Sequence, residues 1–311
     1  MPTVSVIIPS YNAGGYLRAA VESVLAQSRK AAQVIVVNDG STDGSVDAVA
    51  DLPITRLDTG GKALAAGARN AGLRIATGDQ IAFLDADDLW DRDHLAGLLD
   101  LAERFPGSDL FYSRIRRIGN YAGDAEAWGP DATPWNPTIA LIQANRIQPS
   151  ATMIRRTALD RVGTFNAAYP GVEDLDLWLR LARGSSFVGT FKITVSYRVH
   201  PGQTIAQKPR MRQSLWGALT ALANRADDGA GETSRAAILA ALRRRYRYDL
   251  YWAWRDGDAA SLRLLADTAA TLGLGASAAW RTGVARMSVP PMNLVRALRS
   301  RFSRPDQGAS Q

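Results

Sequence analysis

The stretch Gln80-Ile81-Ala82-Phe83-Leu84-Asp85-Ala86-Asp87-Asp88 constrains the fold more than any other part of the chain. Its apolar run reads as a buried strand. A strand this apolar is covered on both faces, as in a parallel sheet with helices on either side. Ligands bind such sheets just beyond the carboxyl ends of the strands, where Asp85, Asp87 and Asp88 would stand. Three like charges within four residues repel one another unless something positive lies among them. A divalent ion that also holds a phosphate meets that need. Asp87 and Asp88 read equally as caps for a helix starting near Trp90.

The flanking sequence favours the sheet. A strand at 4–9, a helix with Leu17, Val21, Val24 and Leu25 on one stripe, a strand at 33–37 and a turn-rich loop at 38–44 come first. A short helix at 45–50, a weaker strand at 53–57 and an alanine-rich helix at 63–76 follow. Beyond the carboxylates come a helix at 92–105 and a strand at 110–113. Strands alternating with helices of this length predict βαβ units and a parallel sheet. Residues 119–137, with three prolines and two tryptophans, read as a long loop over the ligand edge. A helix at 172–183 and short strands at 187–199 complete this part. After Gly202 only helices are expected, at 213–226, 233–254 and 259–271, with shorter ones up to Phe302.

Charge divides the chain at the same place. Residues 1–205 carry a net −2 and residues 206–311 a net +9. The basic part predicts an anionic partner, either a membrane surface or nucleic acid. Its clusters lie at 243–247 and 296–304, and the last residues, 304–311, are expected to be disordered. The chain has no cysteine, which excludes disulfides and thiolate metal sites. Met1 leads straight into a strand, and no run approaches the roughly 20 apolar residues of a membrane helix. The expectation is a soluble cytoplasmic protein.

Several residues combine a chemical and a structural reading. Asp39 could accept a hydrogen bond from a ring N–H or a ribose hydroxyl, or simply form a turn with Gly40. Tyr11 offers an aromatic face for a base or a core ring. Arg69 matches phosphate geometry, but is also an ordinary solvated helix charge. Glu173, Asp174 and Asp176 suit a helix first turn, and a carboxylate there could also take a proton from an attacking hydroxyl. His200 suits a metal or pyrophosphate contact, or a satisfied imidazole.

Taken in order, Val6-Ile7-Ile8-Pro9-Ser10-Tyr11-Asn12, Val36-Val37-Asn38-Asp39-Gly40-Ser41-Thr42-Asp43, Ala68-Arg69-Asn70-Ala71-Gly72, Phe83-Leu84-Asp85-Ala86-Asp87-Asp88, Glu173-Asp174-Leu175-Asp176-Leu177-Trp178-Leu179-Arg180 and Tyr197-Arg198-Val199-His200 resemble the ordered signature of bacterial-type family 2 glycosyltransferases. The resemblance covers residues 3–205, two thirds of the chain. It implies an α/β GT-A (Rossmann-like) domain with a mostly parallel central sheet flanked by helices, followed by an all-helical C-terminal region at 206–311. Residues 1–115 would be the nucleotide-sugar-binding half and 116–205 the acceptor and base half.

The resemblance further implies that Pro9, Tyr11 and Asn12 line the base pocket and that Asp39 bonds the base, most often uracil. Ser41 would lie beside the nucleoside, Arg69 near the diphosphate, and Asp85 on the ribose or donor sugar. Glu173 would belong to the substrate site. Asp87, with His200 as companion, would hold Mn2+ or Mg2+, and Asp174 would be the catalytic base of an inverting transfer from a UDP-sugar to a glycan or lipid-linked acceptor. The family's processive synthases carry Gln-x-x-Arg-Trp and membrane helices; this chain has neither, so one sugar per event is expected. Asn38 stands where an acid is common.

Other classes fit less well. Gly60-Gly61-Lys62 lacks the spacing of a dinucleotide fingerprint. The arginines among Tyr246, Tyr248 and Trp252 could bind nucleic acid, but at helical spacing they read as helix packing, and no nucleic-acid partner is expected. A non-catalytic nucleotide-sugar binder would have no use for Glu173-Asp174. The basic helices remain open between an anionic membrane surface and a cap or homodimer element.

Overall fold

A computed structural model describes residues 2–61, 63–120, 122–124, 128–200, 208–227, 231 and 233–274. The expected cluster at 296–304, the short helices beyond 274 and the disordered end lie outside the described residues.

The first half alternates as the patterning predicts. Strand β1 (Val4–Ser10) is followed by α1 (Tyr16–Leu25), β2 (Gln33–Asn38), β3 (Thr55–Asp58), α2 (Leu64–Ile75), β4 (Gln80–Phe83), β5 (Leu89–Trp90) and α3 (His94–Arg104). Then come β6 (Ser108–Gly119), β7 (Gly123–Asp124), α4 (Thr138–Gln143), β8 (Thr152–Arg155), α5 (Arg156–Val162), α6 (Glu173–Ala182) and β9 (Ser186–Val199). The sheet order is β3-β2-β1-β4-β8-β6-β9-β5, with β7 on β6. Strands β3, β2, β1 and β4 are parallel, β8 runs against its neighbours β4 and β6, and β6 and β9 are parallel again. Most strands thus share one direction.

Both faces of β1 are apolar because both are covered. Val6 and Ile8 pack with residues of α1 and α3, whereas Ile7, Ile35, Val37 and Phe83 pack with α2 and α6. The parallel register, with Pro9 opposite Val37 and Ile7 opposite Phe83, brings the loops after β1, β2 and β4 to one edge. Antiparallel β8 contributes its beginning to that edge, and β6 and β9 end there at Gly119 and Val199.

Several expectations change. The short helix at 45–50 is a single 3-10 turn, Asp47–Val49. The helix expected from Arg92 begins at His94, with Asp93 at its cap position, so neither Asp87 nor Asp88 caps it. The strand at 110–113 extends to Gly119. Its apolar pattern stops because Arg114, Arg116 and Arg117 follow, yet pairing with β9 satisfies its backbone. For the same reason the short strands at 187–199 are one 14-residue strand. Asp131 and Trp135, in the expected ligand-edge loop, bridge to Gly189 and Phe187 near the start of β9. That places this part of the segment at the opposite end of the sheet.

Helices α7 (Lys208–Arg225), α8 (Arg235–Asp256) and α9 (Ala259–Leu272) share the α2/α6-side core through Trp216, Leu219, Leu242 and Leu265. Trp216 meets the Tyr246 ring edge-on at 6.2 Å and donates to Asp249 Oδ2 at 3.0 Å. Arg245 donates to the same carboxylate and to the Gln143 carbonyl of α4.

Candidate active site

The loop after β4 separates the roles of its three carboxylates. Asp88 is fully buried and acts as an internal peg. Its Oδ2 accepts from Ser150 Oγ at 2.6 Å and its Oδ1 from the Arg198 amide at 2.9 Å. Ser150 Oγ also accepts from the Asp85 amide, so one hydroxyl fixes both ends of the turn. Burial first, then the Asp85 and Asp87 charges, push the Asp88 carboxyl well above its usual range. Asp87 is only partly buried, and its Oδ2 lies 2.9 Å from His200 Nε2. Burial and the neighbouring Asp85 charge raise its pKa, while the His200 contact works the other way. Arg198 donates from Nε to the Asp87 carbonyl, and its guanidinium lies 4.5 Å over the Tyr16 ring.

Asp85 faces a different partner. Arg69, buried on α2, donates from Nη2 to Asp85 Oδ1 at 2.7 Å and from Nη1 to Glu173 Oε1 at 2.9 Å. Its guanidinium lies 5.4 Å over the Phe165 ring. Burial opposes its charge, yet the two carboxylates hold its pKa above the ordinary value. At 5% exposure its Nη2 and Nη1 are turned to these two carboxylates, while Nε is buried without a partner. Glu173 is internal as well, its Oε2 accepting from the Gly171 amide.

Asp174, the next residue of α6, is partly exposed. Its Oδ2 accepts from Asn145 Nδ2 at 2.8 Å and its Oδ1 from the Leu175 amide at 2.7 Å. Burial, and then the Glu173 charge, push its carboxyl up to about 7, against those bonds and Arg69. A carboxyl in that range exchanges protons near neutrality.

The loops after β1 and β2 are stitched together. The Asn12 amide donates to Ser41 Oγ at 3.0 Å, Asn12 Oδ1 accepts from the Thr42 amide, and the Gly14 amide donates to Asp43. Tyr11 is 66% exposed beside them, a ring face open to a ligand, and Pro9 is partly buried within β1. Asp39 is buried, and accepts from the Ala63 and Leu64 amides at 2.9 and 2.8 Å and from Thr59 Oγ1. It thus binds the N-terminal turn of α2; Oδ1 already accepts two bonds, whereas Oδ2 accepts one and keeps further lone-pair capacity. A Cβ on Gly40, at φ +81, would come within 2.9 Å of Gly61 Cα, so these loops close on each other only through glycine.

The predicted residues therefore share one rim, joined by contacts: Asp39 to the start of α2, Arg69 of α2 to Asp85 and Glu173, and Asp87 to His200. Asn145, Ser150 and Tyr16 were not singled out from sequence. Nothing local marks Asn145 or Ser150, whereas Arg198 lies inside the Tyr197–His200 string. The other histidine, His94, is a core residue. It stacks on Trp90 at 4.4 Å and bonds Thr194 through Nδ1, and burial lowers its pKa to about 3.

The Asp87 carboxylate, with the Asp85 charge nearby, suits Mn2+ or Mg2+, and the His200 imidazole beside it favours Mn2+ of the two. Among the described residues no three His, Asp or Glu side chains form a metal cage. Ions held by one or two protein groups plus substrate phosphates need none.

Solved structures share this architecture. S. aureus TarS 1-349 in complex with UDP-GlcNAc matches with a TM-score of 0.72 at 16% identity, over 98% of this chain and 94% of that one. The mannosyltransferase PcManGT from Pyrobaculum calidifontis, in complex with GDP-Man and Mn2+, matches with a TM-score of 0.60 at 22% identity, over 96% and 80%. The shared architecture is the GT-A fold. The family model described as Glycosyl transferase family 2 matches residues 5–163. The E. coli UDP-Glc:alpha-D-GlcNAc-diphosphoundecaprenol beta-1,3-glucosyltransferase WfaP is 33% identical over 67% of this chain and 82% of its own length. An uncharacterized glycosyltransferase of Rickettsia felis is 28% identical over 65% of this chain, which spans only 35% of that longer relative. The chain belongs to glycosyltransferase family 2 and is a glycosyltransferase.

Proposed function

We propose that this enzyme moves one sugar from a nucleotide-sugar, a UDP-sugar by preference, to an acceptor hydroxyl with inversion, in cell-surface glycan synthesis. Residues 1–115 hold the donor, and 116–205 supply the base and receive the acceptor. WfaP is named for a diphosphoundecaprenol-linked acceptor, which supports a lipid-linked acceptor here and a cytoplasmic enzyme peripheral to the inner face of the membrane. No helix among the described residues is long and apolar enough to cross a membrane.

The observation that carries this reading is the placing of Asp174: its carboxylate is oriented by Asn145 and the Leu175 amide, lies beside Glu173, which Arg69 ties to Asp85, and is pushed by burial up to about 7. In the proposed reaction Asp174 takes the proton of the acceptor hydroxyl. The oxygen attacks the anomeric carbon from the face opposite the diphosphate, and the bond to the phosphate oxygen breaks, releasing the nucleoside diphosphate. Tyr11, Asn12 and Ser41 receive the nucleoside, Asp39 the base, and Asp85 the ribose or donor sugar. A divalent cation on Asp87 and His200 would, when bound, neutralise charge on the departing diphosphate. Arg69 acts by holding Asp85 and Glu173 in place.

Asp174→Asn should lower transfer by about 10²–10⁴-fold, the usual contribution of a general base, with UDP-sugar affinity by calorimetry unchanged. Wild-type kcat/KM should rise about tenfold per pH unit below pH ~7 and level above it. Transfer by Asp174→Asn at the wild-type rate removes the base from this position.

A further inference from the structure

Residues 243–254 of α8 leave a patch that the transfer chemistry does not use. Arg243, Arg244, Arg247, Tyr248, Tyr251 and Trp254 are all exposed, the two tyrosines by 59% and 57%. At 100° per residue they fall within about 140° of the helix circumference and extend over roughly 16 Å. The inward arc carries Ile238, Ala241, Leu242, Tyr246, Asp249 and Ala253. Helix packing therefore accounts for Tyr246 but not for Tyr248, Tyr251 or Trp254. The acids of α8 do not offset the patch. Asp249 is buried against Arg245 and Trp216, and Asp256 pairs with Arg255, which itself stacks 3.6 Å from the Trp252 ring.

We infer that this face of α8 docks on an anionic phospholipid surface. The inference extends the lipid-linked-acceptor reading above but rests on α8 alone. Arginine attracts anionic headgroups, and tyrosine and tryptophan place an apolar ring and a polar edge at the same interfacial depth. The patch has no exposed aliphatic side chain to insert deeply, so the helix lies on the surface. Charge disfavours the competing occupants. A two-fold contact between copies sets guanidinium against guanidinium. The chain's own segment 275–311 carries six arginines against one aspartate and repels the same face.

The docking helix is bonded to the segment that holds the base. Gln143 Nε2 donates to the Ala241 carbonyl, Arg245 Nη1 donates to the Gln143 carbonyl at 2.6 Å, and Asn145, two residues on, holds Asp174. A surface under α8 thus fixes the enzyme relative to an acceptor anchored in that surface.

Co-sedimentation of the full chain with phosphatidylcholine vesicles, with and without about a third phosphatidylglycerol, tests this. The wild type should bind the anionic vesicles only, and less at high salt. The triple variant Arg243→Glu, Arg244→Glu, Arg247→Glu should bind at least about tenfold more weakly. Tyr248→Ser, Tyr251→Ser, Trp254→Ser should lose several-fold at unchanged charge, whereas Arg296→Glu, Arg299→Glu, Arg301→Glu should keep most of the binding. Without vesicles, UDP release on a soluble acceptor should match wild type in both α8 variants. Full vesicle binding by both α8 variants overturns the inference. So does a wild-type dimer by sedimentation equilibrium that the aromatic variant dissociates, or binding to RNA without binding to vesicles. Vesicle binding by a wild type that releases no UDP would sink the transfer reading and leave the docking face standing.

Discussion

Asp174 and Arg69 have opposite relations to burial, and each difference is measurable. The Asp174 carboxyl moves from an ordinary 3.8 to about 7 in the fold. The folded state then binds more protons than the unfolded one between pH ~4 and ~7, so this group's stabilising contribution is complete below pH ~4 and lost as pH rises through ~7. His94 acts in the opposite sense, because its imidazole is held neutral and the unfolded chain takes up the proton. The difference between two proteins isolates Asp174. Thermal melts from pH 4 to 8 should show wild type losing stability relative to Asp174→Asn, and parallel curves would place the ionisation elsewhere. Arg69 is buried but doubly paired. Arg69→Met strands Asp85 and Glu173 and should cost about 3–5 kcal/mol in urea unfolding, with Arg69→Lys recovering part of it.

At the scale of elements, α2 lies on β1 because Gly72 permits it. A Cβ there would lie 2.6 Å from Ile7 Cγ2 and 3.2 Å from Val37 Cγ2, both in the packed core. Gly72→Ala should gain helix propensity yet lose about 1–3 kcal/mol net, read as a fall in urea midpoint at constant slope. The same helix presents Arg69 to the rim and receives Asp39 at its start, so a shift in α2 should also weaken donor binding. The elements legible in the sequence were β1, β2 and β4 as continuous apolar runs, α1 and α6 as apolar stripes, and α2 as an alanine-rich stretch. The extensions of β6 and β9 were not, because Arg114, Arg116 and Arg117 are polar and their backbone is satisfied only by the neighbouring strand.

Across the molecule, the C-terminal helices continue the core of the sheet instead of hanging from it. Trp216, 1% exposed, joins α7 to Tyr246 and Asp249 of α8, and Arg245 joins α8 to α4. Trp216→Ala should therefore cost about 3–5 kcal/mol and lower a single calorimetric transition. Two separate transitions would show that the helices unfold as an independent unit. The sequence by itself determined the covered parallel half of the sheet, the acidic strand end and the basic excess after residue 205, since each is written in local pattern or charge. Tertiary structure alone decided that Ser150 pegs Asp88 across 62 residues, that Arg69 reaches Glu173 across 104, and which rings of α8 face outward. Local pattern encodes which side of an element is buried, whereas the partner it is buried against is chosen by packing between segments distant in the chain.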